Sequence, residues 1–227
     1  MVFLPFDFSV ILIIPALILA FYAQLRVKNT YHTLSRIRAK AGLSGSEVAA
    51  RLMQQLGLRV GLEEVPGVLN DHYDPSKEIL RLSSPVYRGG SVADYSIAAH
   101  EVGHALQKRE RYGSFALRSF LVPVAGFGSR MAIPLFFFGL IFAFRPLMDI
   151  GILFFSLAVL FQLVTLPVEY DASRRAYQVL DASGMLSVEE RPLVKKMLNA
   201  AALTYVAATA VAALQLIRLL VLRGSRD

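Results

Sequence analysis

Apolar residues fall into long runs separated by two polar blocks, and that alternation predicts most of the molecule. The first run, Phe8 to Leu25, carries no charge. At about 1.5 Å per residue it is long enough to cross a bilayer core, and its single proline, Pro15, is tolerable there. A second apolar region, Phe115 to Leu166, is broken at Arg145-Pro146 beside Asp149. Two helices joined by a tight turn are expected, about 119–144 and 150–167. Ser129 and Arg130 interrupt the first; a lone charge facing lipid costs about 3 kcal/mol or more, so Arg130 should snorkel or face a polar cavity. The last run, Leu198 to Leu222, is rich in alanine and threonine, which suits close helix packing in lipid. Four spans are therefore predicted: 1–25, two within 119–167, and 198–222, followed by a short tail, 223–227. No Lys or Arg precedes the first run and Gln24-Leu25-Arg26 is a poor cleavage site, so this helix is expected to be retained rather than removed as a leader.

The first polar block, 26–118, has its own order. Ser44-Gly45-Ser46-Glu47 is a capping-box pattern ahead of Val48, Leu52 and Leu56, with Gly57 as a stop, and predicts a short amphipathic helix. Arg59 to Val65, Leu69 to Tyr73 and Glu78 to Leu82 read as short strands, with turn chemistry at Asp74-Pro75-Ser76-Lys77, giving a small antiparallel hairpin. Ser91, with Asp94 three residues on, caps a predicted helix that runs to about Gln107. In the second polar block, 168–197, Ser187-Val188-Glu189-Glu190 is another capping box, and its helix is expected to run into the last span. The predicted fold is a mainly α membrane protein of about four transmembrane helices with an α+β juxtamembrane domain.

Composition agrees with a membrane protein. Of 227 residues 55% are hydrophobic, mean hydropathy is +0.51, and ordinary soluble domains are about 45 to 50% apolar. The net charge is +7, from 24 Lys and Arg against 17 Asp and Glu. Basic and aromatic residues are not interleaved, so the surplus points to membrane borders and not to nucleic acid as a partner. There is no cysteine; disulfides, thiol catalysis and CxxC zinc sites are excluded, and any metal must be held by His and carboxylates.

His100-Glu101-Val102-Gly103-His104 carries the chemistry. Two imidazoles four residues apart on one helical face can bind one Zn2+ together, and the intervening Glu101 then lies beside a zinc-bound water. Zinc lowers the pKa of that water to about 7, so Glu101 can act as general base, taking the proton and passing it to a leaving amine, which is peptide hydrolysis. The flanks Ala98-Ala99, Val102-Gly103 and Ala105-Leu106 are small or apolar, as a buried metal helix requires and a surface helix does not.

A catalytic zinc takes a third protein ligand. His32 follows the first span and suits an interfacial role. His72 lies in a hairpin strand that could border the cleft, although a histidine in so turn-rich a segment is more often structural. Glu169 and Asp171 stand where the third span ends. Glu169 is the choice that connectivity favours, because two spans separate the polar blocks and return the chain to the same side. On a helix, Ala172, Ser173 and Ala176 share its face and permit a close approach, whereas Asp171 points about 200° away. Asp171, beside Arg174 and Arg175, is expected to make a surface pair. Tyr170, Arg174 and Arg175 could steady a tetrahedral oxyanion, but an arginine pair after a span more often anchors the membrane border.

Asp71-His72-Tyr73-Asp74-Pro75, the Ala99 to Ala105 stretch and Pro167 to Arg175 together resemble the YugP-type family of neutral zinc metallopeptidases, bacterial multi-pass membrane proteins, over nearly the whole chain. The resemblance implies a zincin-like domain inserted between membrane helices and protein or peptide substrates, without naming one. A broader similarity, to membrane gluzincins of the heat-shock and prenyl-protein-processing type, implies a glutamate on a later helix as third ligand, which carries over to Glu169. Those relatives place an aspartate four residues after that ligand to orient a histidine. Here Ser173 stands at that position and Asp171 at plus two.

Two other readings use the same residues. An intramembrane protease would bury the motif in lipid, yet Lys108-Arg109-Glu110-Arg111 follow it closely and Asp94 precedes it, so a juxtamembrane site fits better. A non-catalytic zinc-binding membrane scaffold would have no need of Glu101. Arg26, Lys28, Arg36, Arg38 and Lys40 after the first span, with no basic residue before it, place the polar blocks in the cytoplasm of a multi-pass cell-membrane protein; Arg218, Arg223 and Arg226 pull the other way. About one Zn2+ per chain is expected. No motif specifies a regulatory partner or an oligomeric state.

Overall fold

A computed structural model describes residues 8–224, so the first seven residues of the expected span 1–25 and the last three of the expected tail lie outside the described residues. The chain is mostly helical, with four helices long and apolar enough to cross a membrane and a small three-stranded sheet. Seven α-helices run Ile14–Leu34 (α1), Gly45–Gln55 (α2), Ser84–Arg88 (α3), Val92–Arg109 (α4), Gly113–Ile141 (α5), Arg145–Ala182 (α6) and Arg191–Gly224 (α7). Strands β1, β2 and β3 are Gly61–Val65, His72–Asp74 and Ile79–Ser83.

The chain divides into two compact units. One comprises residues up to 23, 117–166 and 204 onward. A 3-10 stretch, Phe8–Ile13, precedes α1, so Pro15 falls in the first turn of an α-helix, where its missing N–H costs nothing. Helices α5 and α6 meet at small residues: a Cβ on Gly139 would lie 2.6 Å from Met148 N, and one on Gly151 2.7 Å from Phe136 N. Between them the chain turns at Ala143, with φ +52°, and Phe144 N–H donates to Gly139 O. Phe136, Leu140, Met148 and Leu219 form a buried cluster. Ile18, Phe21, Phe120 and Leu153 are 60 to 70% exposed, an apolar surface that a bilayer would cover. Arg130 is exposed on α5.

The other unit comprises 24–116 and 167–203. Its local signals act as the chain pattern predicts. Ser44 Oγ accepts from Glu47 N–H and Glu47 Oε2 accepts from Ser44 N–H, closing the capping box of α2. Gly57, at φ +64°, ends the helix, with Leu58 N–H donating to Met53 O. Ser91 and Asp94 make the same box at the start of α4. The strand order is β1-β3-β2; β2 and β3 form the expected antiparallel hairpin, His72 opposite Arg81, but β1 pairs with β3 in parallel, Gly61 opposite Ile79. Alternation fixes which side chains face inward, here Leu80 and Leu82, and says nothing about strand direction. With β2 on one edge of β3, β1 lies on the other edge and runs in the same sense as β3. The second polar block does not begin a new helix at Glu169, since α6 continues without a break from apolar sequence through Glu169 to Ala182. The fourth apolar run likewise lies inside a helix that starts at Arg191. Val48, Leu52, Tyr95, Ala98, Val102, Ala176, Leu180 and Val194 pack into one core around α4.

Candidate metal centre

Helix α4 is buried along most of its length, and its apolar flanks leave His100 and His104 one turn apart on one face, ring centroids 4.8 Å apart. Across from them runs α6. Its approach is close because α4 carries Gly103 there: a Cβ at that position would lie 2.5 Å from Ala172 O. The crossing brings Glu169, 1% exposed, against both imidazoles. Its Oε2 lies 3.2 Å from His100 Nε2 and 3.5 Å from His104 Nε2. His100, His104 and Glu169 each offer a ligand atom within 4.8 Å of the others.

These residues fit a zinc ion. Ligands at 2.0–2.1 Å in a tetrahedral set are about 3.3 Å apart, close to the two imidazole–carboxylate separations, and two nitrogens with one carboxylate leave a fourth position open, as catalytic zinc sites do. Both Nε2 atoms face the carboxylate because each Nδ1 has a partner elsewhere. His100 Nδ1 lies 3.2 Å from Ser173 Oγ, and His104 Nδ1 lies 3.0 Å from Gln107 Oε1. Ser173 thus contacts a histidine from the position where the gluzincin pattern has its aspartate.

Glu101 is buried beside this group, and burial pushes its carboxyl up to about 7; His100 opposes the shift, Glu169 and Asp71 add to it, and a backbone hydrogen bond from Tyr73 opposes it. The β2 strand therefore meets Glu101 through its backbone. His72 is turned away: next to buried Tyr73 in an alternating strand its imidazole is exposed, with Nδ1 2.9 Å from Asn70 O. His32 is likewise remote in contact, its Nε2 2.9 Å from Arg36 Nη2.

Asp171 does pair with Arg174 and Arg175, but its own carboxylate is buried. It is 8% exposed, and its Oδ2 accepts a hydrogen bond from Gln107 Nε2 at 2.9 Å. Helical angle gives a direction from the residue's own axis; it cannot tell that a long side chain on α4 reaches round to meet it. Arg175 is held between Asp171 and Glu110, with its guanidinium over the Tyr112 ring. It backs the site rather than opening onto it. Tyr170 and Arg174 are exposed. Gln107 was the residue that motif reading missed. A polar side chain three residues after His104, on the metal face of a buried helix, was the available signal.

Four helices long and apolar enough to cross a membrane, with a His-His-Glu group that could hold a metal ion and a buried glutamate beside it, suit the class of membrane metalloproteins. The chain belongs to the family described as "putative neutral zinc metallopeptidase", whose model matches residues 9–224. It is 45% identical over 220 residues to the Bacillus subtilis (strain 168) protein named "Putative membrane protease YugP", an alignment covering 96% of this chain and 98% of that one. No solved structure matches.

Proposed function

We propose that the protein is a membrane-embedded, zinc-dependent endopeptidase that hydrolyses peptide bonds of protein or peptide substrates. His100, His104 and Glu169 would hold one zinc per chain, and Glu101 would act as general base. The observation that carries this reading is the convergence of two imidazole nitrogens and a buried carboxylate oxygen within 4.8 Å, with a second buried carboxylate, Glu101, one residue from a ligand. Zinc bound there supplies a Lewis acid and a water acidic enough to ionise near neutral pH. Glu101 accepts a proton from the attacking water and returns it to the departing amine, a task suited to a group whose pKa lies near the working pH. The Tyr73 N–H bond fixes the carboxylate's direction, while Ser173 and Gln107 fix the imidazoles. A structural zinc site would be closed by a fourth protein ligand; the group here has three, which favours catalysis over a scaffold role.

The test uses detergent-purified full-length protein and labelled casein. Glu101→Gln should keep about one zinc and lose hydrolysis, because an amide keeps the shape but cannot take the proton. His100→Ala, His104→Ala and Glu169→Ala should lose most of the metal, whereas His72→Ala should retain it. Undiminished hydrolysis by contaminant-free Glu101→Gln protein would sink the mechanism.

A further inference from the structure

We infer that Gln107 commits His104 Nδ1 to carrying a proton, so that Nε2 is the nitrogen presented to a metal. The consequence for metal rests on the centre proposed above; the hydrogen-bond logic does not need an ion.

A side-chain amide has one acceptor end and one donor end, and which is which must be read from its partners. Gln107 is completely buried, so neither end can turn to water. Its nitrogen faces two groups that can only accept: Val168 O at 2.8 Å and Asp171 Oδ2 at 2.9 Å. Asp171 is kept an acceptor by the guanidinium groups of Arg174 and Arg175. Both amide protons are thereby committed to α6, and turning the amide over would set a carbonyl oxygen against a carbonyl and a carboxylate. The remaining end, Oε1, lies 3.0 Å from His104 Nδ1. A carbonyl cannot donate, so Nδ1 must carry the hydrogen. His104 Nε2 is then the atom left to face Glu169.

The two histidines differ in this respect. His100 Nδ1 meets the hydroxyl of Ser173, which can donate or accept and therefore imposes no tautomer. Gln107 is thus a positioning residue for one ligand only, and Arg175 links the chain His104–Gln107–Asp171 onward to Glu110. Outer-shell partners of metal-binding histidines typically contribute about 10–100-fold in metal affinity.

The chain has four histidines, few enough for 15N-histidine labelling to resolve each ring nitrogen in detergent-solubilised, metal-free protein. In that protein His104 should carry a proton on Nδ1. Gln107→Met, nearly isosteric but unable to accept, should lose that preference and bind zinc about 10–100-fold more weakly in chelator competition. Gln107→Glu keeps an acceptor toward Nδ1 but sets its second oxygen against Val168 O and Asp171 Oδ2, so it should lower thermal stability and yet keep the Nδ1 proton. Purely structural support would be removed at least as much by the charged residue as by methionine. An unprotonated Nδ1 in the wild type, an unchanged Gln107→Met protein, or loss of the Nδ1 proton in both variants would overturn the inference. Failure of the wild type to bind zinc would instead overturn the metal-centre reading, with the tautomer result standing apart from it.

Discussion

Desolvation works against a charge on Glu101, pushing its carboxyl from 4.5 up to about 7. Because the folded pKa is the higher one, the unfolded chain releases this proton first as pH rises. The fold is therefore destabilised progressively between about pH 4.5 and 7, and fully above, by an amount on the order of 3 kcal/mol. Glu101→Gln has no proton to lose. In metal-free protein it is expected to raise the thermal midpoint at about pH 8 and to leave it nearly unchanged at about pH 4; a shift of equal size at both would mean that burial does not perturb this carboxyl. Glu101 announces itself in the sequence because the proposed base and two proposed ligands are adjacent on one helix. Gln107 and Tyr73 do not, since an amide belongs to no motif and a backbone N–H leaves no mark in a sequence. Asp171 was legible as an arginine partner and illegible as a buried one, because its burial depends on Gln107 from α4.

Helix boundaries were legible where local chemistry decides them. Ser44-Glu47, Ser91-Asp94 and Gly57 terminate their helices through bonds made within a few residues. The parallel β1–β3 pairing was not, because it is decided between segments 18 residues apart. Helix approach is another non-local property, and here it narrows to one contact: Gly103 of α4 against Ala172 of α6, on which the meeting of His100 and His104 with Glu169 depends. Gly103→Ala would drive a methyl group toward the Ala172 carbonyl at 2.5 Å. Backbone has to move, since no flexible side chain can yield. Overpacking of this kind costs about 1–3 kcal/mol, and the ligand atoms should separate with it. Lower thermal stability and weaker zinc binding are expected together; a variant that keeps both would show that the crossing has slack.

At the scale of the whole chain, the sequence carries an orientation that the first three apolar runs support, while the fourth has three basic residues toward either end. Arg26, Lys28, Arg36, Arg38 and Lys40 follow the first candidate span, Lys108, Arg109 and Arg111 precede the second, Arg174 and Arg175 follow the apolar part of the third, and Arg191, Lys195 and Lys196 precede that of the fourth. All belong to the two polar blocks. The opposite ends carry Arg145, Arg218, Arg223 and Arg226, the last outside the described residues. Lys and Arg near span ends are retained on the cytoplasmic side, so 24–116 and 167–203 are expected to face the cytoplasm. The chain has no cysteine, which makes accessibility simple to read. Single cysteines at Ser76 and at Val188, both exposed, should resist a membrane-impermeant thiol reagent in intact cells and react after lysis. A cysteine at Phe142, 72% exposed in the α5–α6 turn, should react in intact cells. Labelling of the first two and protection of the third would reverse the orientation, and with it move the proposed substrates from cytoplasmic segments of proteins to those outside the cell.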